Sequence, residues 1–576
     1  MSDSDADGVN WSMSRLLRDT AAAHPGNEFV FPQARATFAQ LDARADAFAH
    51  MLVNAGLKAG EHVGLWVPPS LDMIAAIFGT VRAGGVVVPV SDRFRAAELG
   101  HVIDHADLAV VLTSGATSHH DRRAELVAAL PSLAGQRSTS LALAEAPKLR
   151  RVIVLGDGDG DGDGDSDGDG DGRPGFSSAE EFGLPGTWDA GPYEPVRPDQ
   201  DVARADDLAY LMYTSGTSAR PKACMISHRG VVMQGTSLAR TRYRLDADSR
   251  FWCPLPLFHT AGLATMIACV ASGAGFVHAG VFDPRQSLQA MVEERVTHAI
   301  PCFETIWMRV VELPEFATAD LSRLRVTMNT GGEDLLRRLQ SRTPQAVQLA
   351  NYGITEGSGH VAMTTPDDPL DLRVTTGGFP LPGMEVRITD LETGEVVPPG
   401  ARGEIRFRGT SRFLGYYKDP VATAEVIDAD GWFSSGDLGE MDADGRVAFR
   451  GRIKDMLKVG GENVASLEIE SYLLRHPAVS VCAVVGAPDA YYGEVPVAYV
   501  QLVPGAELTG QELIDYCVDR IATFKIPRYV RFVDSWPMSG TKIRKVELRA
   551  RIAAELAAAG ITEAPRIRSS RARSRA

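Results

Sequence analysis

The sequence has few cysteines, no long apolar run and no excess of basic residues. Its 576 residues include six cysteines, none of them in a CxxC pair, which excludes a disulfide-stapled scaffold. No run approaches the roughly 18 apolar residues that a membrane-spanning helix needs. The first residues, MSDSDADGVNW, are acidic and contain no apolar signal-peptide core. These absences predict a soluble cytoplasmic protein without a membrane span.

Positive charge is outnumbered by negative charge. The chain has 59 Lys and Arg against 74 Asp and Glu, a net charge of −15. A nucleic-acid-binding core would need a basic face, so we expect no nucleic-acid partner. We predict that the Gly-Asp tract at 156–172 is a disordered insert, because it lacks the Glu and the flanking helices of a calcium-binding EF-hand. We also predict a basic disordered tail at 561–576.

Short apolar runs alternate with helix-like stretches in the first part of the chain. Residues 59–90 contain an apolar run (VGLWV), a helical pattern that ends in glycine (LDMIAAIFGTVRAG) and a second apolar run (VVVPV). The runs LAVVLTS and RVIVLG repeat this theme. Strands that are buried on both faces and alternate with helices are typical of parallel sheets. The sequence therefore predicts an α/β fold with a large N-terminal domain of several subdomains.

The pattern changes after residue 454. LEIESYLLRHPAV and QELIDYCVDRIATF have helical patterns, whereas VSVCAVVGAP, VPVAYVQLV and YVRFVD resemble strands. This mixture predicts a separate, small α+β domain. We assign the N-terminal domain to 1–453, a hinge to 454 and the small C-terminal domain to 455–560.

A segment rich in hydroxyl groups and glycine follows the apolar run LAYLMY. It reads Tyr213-Thr-Ser-Gly-Thr-Ser-Ala-Arg-Pro-Lys222. A turn of this composition after a strand offers N–H and O–H donors to phosphate oxygens, and the lysine adds positive charge. The spacing differs from the Walker A pattern G-x-x-x-x-G-K-[ST]. By itself, such a segment is also typical of an ordinary loop.

Six further motifs follow in order along the chain. They are PLFH (256–259), YGITE (352–356), GWFSSGD (431–437), GRIKD (451–455), GGEN (460–463) and SGTKIRK (539–545). This series resembles the adenylate-forming superfamily, which includes acyl-CoA synthetases, adenylation domains of peptide synthetases and beetle luciferase. The resemblance covers residues 12–555 and is closest to freestanding acyl-CoA synthetases. It implies ATP-dependent activation of a carboxylic acid to acyl-AMP and transfer of the acyl group to a nucleophile.

The resemblance implies an ATP-binding role for each motif. The adenine ring would stack on Tyr352 with Asn351 close to the base, and the ribose hydroxyls would bind Asp437 and Arg452. Glu356 would hold Mg²⁺, a cation that prefers carboxylate and phosphate oxygens. The residues implied in binding phosphate are Thr214, Ser215, Gly216, Thr217, Ser218, Lys222 and Thr355.

The resemblance also implies two steps and a mobile small domain. Lys542 would reach the substrate carboxylate and the α-phosphate, where a cation stabilises the charge that develops in the transition state. Rotation at Lys454 would then withdraw Lys542 and bring a second loop to the channel for the pantetheine arm of coenzyme A. His259 would lie beside this channel, although a core histidine is an open alternative. The residues of the second loop are Gly460, Gly461 and Glu462.

Two departures from the family pattern concern catalytic loops. Ala219 stands where the family has glycine, and Ser218 replaces the common threonine, so we expect this loop to close differently or to be specialised. Thr541 stands between the glycine and the lysine of the terminal motif. We assign the catalytic role to Lys542 rather than Lys545 because the Ile-Arg-Lys that follows matches the family.

The acid-binding pocket of the family is lined by segments that match 256–263, 298–308, 329–333 and 351–360. In this chain these segments mix polar and small residues, which favours a small, medium or aromatic acid over a long alkyl chain. The residues that we assign to the pocket are His259, His298, Phe303, Gly331, Gly332, Glu333, Gly353 and Gly357.

The acceptor that we expect is coenzyme A, because the chain has the GGEN loop and no carrier-protein segment. A carrier-protein thiol, an amine or nitrite is the alternative acceptor. A binding protein without catalysis is a third hypothesis, against which Glu356, Asp437, Arg452 and Lys542 argue. The expected cofactors and partners are thus ATP, Mg²⁺, coenzyme A and a small carboxylic acid; a homodimer is left open.

Overall fold

The computed structural model describes most of the chain. The described residues are 11–32, 34–117, 120–136, 138–156, 175–186, 188, 204–214, 221–460, 462–539 and 542–567. The predicted insert at 156–172 lies outside these ranges except for its first residue. Of the predicted tail, residues 568–576 also lie outside them.

Strands occur throughout the described chain. In chain order they are β1 (Glu28–Phe31), β2 (Ala34–Thr37), β3 (His62–Trp66), β4 (Val86–Pro89), β5 (Leu108–Ser114), β6 (Ala116–Thr117), β7 (His120–Asp121), β8 (Arg151–Leu155), β9 (Ser177–Ser178), β10 (Leu208–Thr214), β11 (Lys222–Ser227), β12 (Arg250–Cys253), β13 (Gly275–His278), β14 (His298–Cys302), β15 (Val326–Asn329), β16 (Val347–Leu349), β17 (Asn351–Tyr352), β18 (Ala362–Met363), β19 (Phe379–Pro380), β20 (Met384–Thr389), β21 (Arg402–Gly409), β22 (Gly415–Tyr416), β23 (Phe433–Met441), β24 (Val447–Arg452), β25 (Met456–Val459), β26 (Glu462–Ala465), β27 (Val479–Asp489), β28 (Gly493–Leu502), β29 (Tyr529–Phe532), β30 (Met538–Ser539) and β31 (Lys542–Ile543).

Helices alternate with these strands in the first 340 residues, as the apolar pattern predicts. In chain order the α-helices are α1 (Met13–Ala23), α2 (Phe38–Asn54), α3 (Leu71–Arg82), α4 (Ala96–His105), α5 (Arg122–Ala129), α6 (His228–Ser237), α7 (Thr260–Ser272), α8 (Pro284–Glu293), α9 (Glu304–Val311), α10 (Glu333–Arg342), α11 (Leu370–Thr375), α12 (Pro420–Val426), α13 (Ser466–Leu473), α14 (Gly510–Cys517) and α15 (Lys545–Ala558).

Two large sheets form the N-terminal part of the molecule. Within the described ranges, the first has the order β16-β15-β14-β12-β13-β1-β2, and its neighbours are parallel except for β1 and β2. The second has the order β22-β11-β10-β4-β3-β5-β8-β9, with β11 antiparallel to both of its neighbours and the other pairs parallel. The predicted α/β fold is confirmed.

Helix α3 shows why the predicted pattern gives this arrangement. Ser70 caps its first turn by accepting a hydrogen bond from the backbone N–H of Met73 at 3.2 Å. Except for Asp72, every residue of the helix is buried, because the helix belongs to the apolar core that joins the two sheets. Arg82 is buried as well, and its guanidinium pairs with Asp46 at 3.0 Å and with Asp42. The charge is therefore compensated inside the core.

The C-terminal part has its own sheet and its own core. The order is β26-β25-β28-β27, with β29 parallel to β28. One apolar cluster includes residues of α13 and α14, and a second includes residues of α15. The helix predicted at 511–524 ends earlier, at Cys517, because the backbone is extended at Val518 (ψ 133°) and left-handed at Asp519 (φ +62°). Residues 561–567 continue from α15, and the N–H of Ala564 donates to Asp489 at 2.6 Å.

Between these parts lies an antiparallel sheet with the order β20-β21-β23-β24. Its last strand ends at Arg452 and leads into a 3₁₀ turn, Ile453–Asp455, that contains the predicted hinge residue Lys454. The C-terminal sheet starts immediately after this turn, with β25. In the described chain, no helix combines the length and the apolar character that crossing a membrane requires.

Gly378 provides a test of how tightly the segments around β18 pack. Its φ is +75°, and a Cβ atom there would lie 2.1 Å from the backbone of Met363 and Thr364. We expect Gly378→Ala to lower the free energy of unfolding by about 3 kcal/mol or more, because backbone atoms cannot move aside as a side chain does. Urea denaturation monitored by fluorescence measures the loss.

Gly394 is the matched control for this substitution. Its φ is +73°, but a Cβ atom placed there would have nothing within 4 Å. Gly394→Ala should therefore cost only the backbone strain, about 1 kcal/mol. Equal losses in the two variants would contradict the packing argument.

Candidate active site

Segments of the predicted acid pocket follow strands that end at the same edge of the first sheet. Strands β12, β14 and β15 are parallel and end at Cys253, Cys302 and Asn329. Since the carboxyl ends of parallel strands meet at one edge, the segments 254–260 and 330–333 lie at this edge, on either side of the residues that follow β14. Strand β17 continues the chain at the same edge directly after β16. This edge is the usual position of ligand sites in α/β proteins.

Tyr352, Asp437 and Arg452 form a connected group. The Tyr352 hydroxyl donates to Asp437 Oδ2 at 2.8 Å, and Arg452 Nε lies 2.8 Å from Asp437 Oδ1. Asp437 and Arg452 are paired across β23 and β24, which fixes this contact through the backbone register. The Tyr352 ring stacks on Phe449, with 6.0 Å between ring centroids. The structure thus brings together three residues that are far apart in the sequence and that the resemblance assigns to adenosine.

Glu356 has a partner that sequence analysis does not name. The Tyr416 hydroxyl donates to Glu356 Oε1 at 2.9 Å, and both residues are buried. Burial, followed by the charge of Glu356, raises the pKa of Tyr416, so the phenol stays neutral and remains a donor. Lys222 Nζ lies 4.6 Å from the centroid of the same ring, a cation–π distance. Tyr416 therefore contacts both the end of the phosphate segment and the predicted metal ligand.

Asn351 forms a hydrogen bond with a buried histidine. Its Nδ2 donates to Nδ1 of His360 at 2.8 Å. His360 is 1% exposed, and burial lowers its pKa to about 4, so the ring is neutral at physiological pH. Gln234 holds the loop in place from α6, because its side-chain amide donates to the carbonyls of Gly357 at 2.8 Å and His360 at 2.9 Å.

The predicted pocket glycines lie where backbone segments touch. A Cβ atom on Gly353 would be 1.9 Å from the carbonyl oxygen of Gly359, and one on Gly357 would be 2.4 Å from the Val361 side chain. A Cβ atom on Gly331 would likewise be too close to the side chain of Leu335, at 2.6 Å. Gly332 lies against α13 of the C-terminal part, where a Cβ atom would be 2.7 Å from Ser471 Oγ.

The remaining predicted pocket residues are in three different environments. Phe303 and His259 are half-buried. They lie immediately before α9 and α7, at the edge of the first sheet where β12 and β14 end. Glu333 is the first residue of α10 and forms an ion pair with Arg337 at 2.8 Å on the same helix.

His298 lies at the first residue of β14, the opposite end of the strand from Phe303. Its Nε2 contacts the carbonyl of Tyr243 at 2.9 Å, and its Nδ1 contacts Thr297 Oγ1 at 2.8 Å. Burial lowers its pKa to about 4. Both ring nitrogens are used inside the core, and this placement favours a structural role. His298 lies at the amino end of β14 and the site at its carboxyl end, about 13 Å away along the strand.

The predicted phosphate loop and the catalytic lysine are only partly described. Thr214 and Lys222 face each other across β10 and β11, and Ser215, Gly216, Thr217, Ser218 and Ala219 between them lie outside the described residues. Lys542 pairs with Ser539 through the backbone of β31, but its side chain also lies outside the description. Gly460 has φ +60° and donates its N–H to the carbonyl of Tyr492 at 2.8 Å. Glu462 begins β26 and is exposed, and Gly461 is not among the described residues.

Sequence analysis missed Tyr416, His360 and Gln234. Tyr416 and Gln234 lie outside the quoted motifs and segments, and His360 lies in the segment 351–360 but after the motif YGITE, so no spacing pattern marks any of the three. Tyr416 stands next to a second tyrosine, Tyr417, and only the structure distinguishes them, since the hydroxyl of Tyr417 donates to Asp107 at 2.9 Å instead.

Comparisons with known proteins identify the family. The AMP-binding enzyme family matches residues 17–417, and the AMP-binding enzyme C-terminal domain matches residues 468–542. The putative acyl-CoA synthetase YngI of Bacillus subtilis (strain 168) is 33% identical over 557 residues, covering 94% of this chain and 97% of that protein. The chain belongs to the AMP-binding enzyme family.

A second relative and a solved structure agree with this result. The 3-[(3aS,4S,7aS)-7a-methyl-1,5-dioxo-octahydro-1H-inden-4-yl]propanoyl:CoA ligase of Rhodococcus jostii (strain RHA1) is 34% identical over 533 residues, covering 89% of this chain and 93% of that protein. The crystal structure of ATP-bound MatB from Rhodopseudomonas palustris superposes with a TM-score of 0.79 at 28% identity, covering 95% of this chain and 99% of MatB. The fold is thus that of an adenylate-forming enzyme.

The contact between Tyr416 and Glu356 can be tested by binding. Tyr416→Phe removes the hydroxyl that donates to a buried carboxylate, which typically costs about 1–3 kcal/mol. If Glu356 serves the nucleotide site, this variant should bind ATP in the presence of Mg²⁺ about 10-fold more weakly, measured by isothermal titration calorimetry. Tyr417→Phe is the control, because its hydroxyl serves Asp107, and it should leave the affinity unchanged. Equal affinity in wild type and Tyr416→Phe would rule out the positioning role.

Proposed function

We propose that this protein is an AMP-forming acid–CoA ligase, which converts a carboxylic acid to acyl-AMP with ATP and then transfers the acyl group to coenzyme A. The observation that carries the proposal is the connected group of Tyr352, Asp437 and Arg452. It combines an aromatic face, a buried carboxylate and a guanidinium, which suit a base and the two hydroxyls of a ribose. The match to AMP-binding enzymes along both parts of the chain supports the assignment.

In the first step, the carboxylate of the acid attacks the α-phosphorus of ATP, a bond to the carboxylate oxygen forms, and pyrophosphate leaves. Asp437 accepts hydrogen bonds from the ribose hydroxyls, and Tyr352 and Asn351 bind the base. Thr355 and the segment from Thr214 to Lys222 bind phosphate oxygens. Lys542 supplies the cation that stabilises the charge on the α-phosphate in the transition state.

The residues present fit a magnesium ion held mainly by the nucleotide. Magnesium prefers one or two carboxylates together with phosphate oxygens and water. Glu356 provides one buried carboxylate, and Tyr416 engages only its Oε1 oxygen. In the described chain, no group of three or more His, Cys, Asp or Glu residues is arranged to hold a metal. When bound with ATP, the ion would neutralise phosphate charge, while Tyr416 keeps the carboxylate oriented.

In the second step, the thiolate of coenzyme A attacks the acyl carbon, a C–S bond forms, and the bond to AMP breaks. The small domain turns at Lys454 between the steps, which removes Lys542 and brings Gly460, Gly461 and Glu462 toward the thiol channel. His259 borders this channel at the start of α7.

The acid is small, medium-sized or aromatic and has a polar substituent. The support for this class is the composition of the predicted pocket segments, which mix polar and small residues with the half-buried Phe303 and His259, whereas a tunnel for a long alkyl chain would be mainly apolar. The name of the Rhodococcus relative describes a propanoic acid with two ring ketone groups, which agrees with this class.

Pyrophosphate release with a panel of carboxylic acids, each with and without coenzyme A, tests the proposed function. We expect release to depend on Mg²⁺, ATP and one class of acid, and coenzyme A to be converted to a thioester identified by mass spectrometry. Palmitate should be a poor substrate, and equal turnover of palmitate and short or aromatic acids would refute the pocket assignment. Acid-dependent release without thioester formation would instead indicate a carrier thiol, an amine or nitrite as acceptor.

The role of Lys542 can be tested by separating the two half-reactions. Lys542→Ala should slow formation of acyl-AMP by about 10²–10³-fold, since it removes a transition-state donor. The same variant should still form thioester from supplied acyl-AMP and coenzyme A. An equal loss in both half-reactions would contradict the two-conformation mechanism.

Lys454→Pro is the reciprocal variant. Proline fixes φ near about −65° and restricts rotation at the predicted pivot. It should spare acyl-AMP formation and slow thioester formation. Poor acyl-AMP formation together with normal thioester formation would refute the hinge assignment.

A further inference from the structure

A cavity lies at the β22 edge of the second sheet, apart from the predicted acid pocket. Its volume is about 460 Å³, and its walls come from β11, from the residues around β22 and from α12. Proteins bind small organic molecules in clefts of about 300–1,000 Å³. The described residues that line the cavity belong to no segment of the predicted acid pocket. A molecule bound here would therefore occupy a separate site.

The wall of this cavity is mainly apolar. Met225 of β11, Leu414 before β22 and Ile427 after α12 line it. Leu414 is 41% exposed, and Pro420 at the start of α12 is also exposed. Covering such apolar surface is favourable in water. The wall thus suits a ligand with an apolar body.

Arg412 adds a positive charge without a counterion to the same wall. Its Nη1 donates to the carbonyl oxygen of Phe413 at 2.7 Å, and within the described ranges its guanidinium forms no ion pair. The half-buried Arg406 and Arg446 differ, because they pair with carboxylates at 3.0 Å and 2.7 Å. Burial lowers the pKa of Arg412, and no neighbouring carboxylate raises it. Since a guanidinium stays charged even so, its Nε and Nη2 are left to donate to an anion.

The other two charged residues that line the cavity already have partners. Lys418 Nζ lies 2.8 Å from Asp107 Oδ2. Asp419 caps α12, because its Oδ1 accepts a hydrogen bond from the backbone N–H of Ala422 at 2.9 Å. Among the described lining residues, the cavity therefore has one positive charge that the protein does not pair, and this balance fits a ligand with a single negative charge.

We propose that this cavity is a second ligand site, which binds an organic monoanion consisting of a carboxylate and an apolar body. The carboxylate accepts hydrogen bonds from Nε and Nη2 of Arg412, whose planar fork matches two carboxylate oxygens. The apolar body lies against Met225 and Leu414. A second negative charge on the ligand would meet the apolar wall or Asp419, at a cost. The site goes beyond the proposed function and does not rest on it.

Protection of an introduced thiol tests the site. The six native cysteines are buried, whereas Ala424 lines the cavity and is exposed, so the thiol of Ala424→Cys should react first with the neutral reagent iodoacetamide. Mass spectrometry gives the rate of this reaction in the presence of octanoate or 4-butylbenzoate, or of the matched amides octanamide and 4-butylbenzamide. We expect at least one acid to slow it in a saturable manner. Its amide should need a concentration about 10-fold higher, because it lacks the charge-assisted hydrogen bond. Protection by neither acid, or equal protection by acid and amide, would overturn the proposal.

Two variants in the Ala424→Cys background test the role of the charge. Arg412→Met keeps an apolar chain of similar length but removes the guanidinium, so the protecting acid should bind about 10-fold more weakly and no better than its amide. Leu414→Asp places a carboxylate in the wall at an exposed position, and it should also weaken the acid more than the amide. This second variant decides the question if Arg412→Met does not fold. Unchanged preference for the acid in a folded variant of either kind would overturn the proposal.

Two controls separate this site from unspecific binding. Arg402→Met also removes an arginine, but Arg402 lies outside the cavity wall and pairs with Glu440 at 3.6 Å, so protection should be unchanged. Val396→Cys places a thiol at a residue that is 62% exposed and does not line the cavity. The acid should not protect it, and equal protection of this thiol would overturn the proposal.

These measurements need neither ATP nor coenzyme A and no turnover. Protection in a protein that releases no pyrophosphate with any acid would support the second site and contradict the ligase assignment alone. Turnover without protection would refute the second site and leave the ligase assignment intact.

Discussion

In a parallel sheet the carboxyl ends of all strands lie on the same side, and this constraint determines where the site forms. Strands β12, β14 and β15 end at Cys253, Cys302 and Asn329, so the loops behind them share one edge. The antiparallel sheet then closes the site from the side with Asp437, whose partner Arg452 is set by strand register. The functional groups are therefore held by the backbone of two sheets, and their positions depend little on flexible side chains.

Tyr416 connects the two large sheets at this edge. It lies in β22, the edge strand of the second sheet, next to β11, which begins at Lys222. Its hydroxyl reaches Glu356, which follows the strands of the first sheet. A buried carboxylate without a donor would be unfavourable, so this bond stabilises the junction as well as orienting the carboxylate. The same residue thus packs at the junction of the two sheets and orients the carboxylate.

Sequence patterns predict the parts of this structure that depend on periodicity or on several residues in fixed order. The strand LAVVLTS is found with the predicted bounds, Leu108–Ser114, because a continuous apolar run fits a strand buried on both faces. The contact partners of Glu356 and Asn351 could not be predicted. Tyr416 and His360 belong to no motif, and only the folded structure shows which side chains they contact. His298 was assigned to the pocket because the whole segment 298–308 was. That segment includes strand β14, whose first residue is His298, and this residue is buried in the core, away from the site.

Gly332, a predicted residue of the acid pocket, lies against the small domain. Gly332 precedes α10 and lies against Ser471 of α13, and Arg475, in the turn after that helix, is 2.5 Å from Asp334. A Cβ atom on Gly332 would lie 2.7 Å from Ser471 Oγ, so a side chain there would displace this hydroxyl. The exposed ion pair contributes little energy by itself, on the order of 0–1 kcal/mol. The rotation of the small domain that we propose would break both contacts, and an ion pair of such small energy would offer little resistance to it.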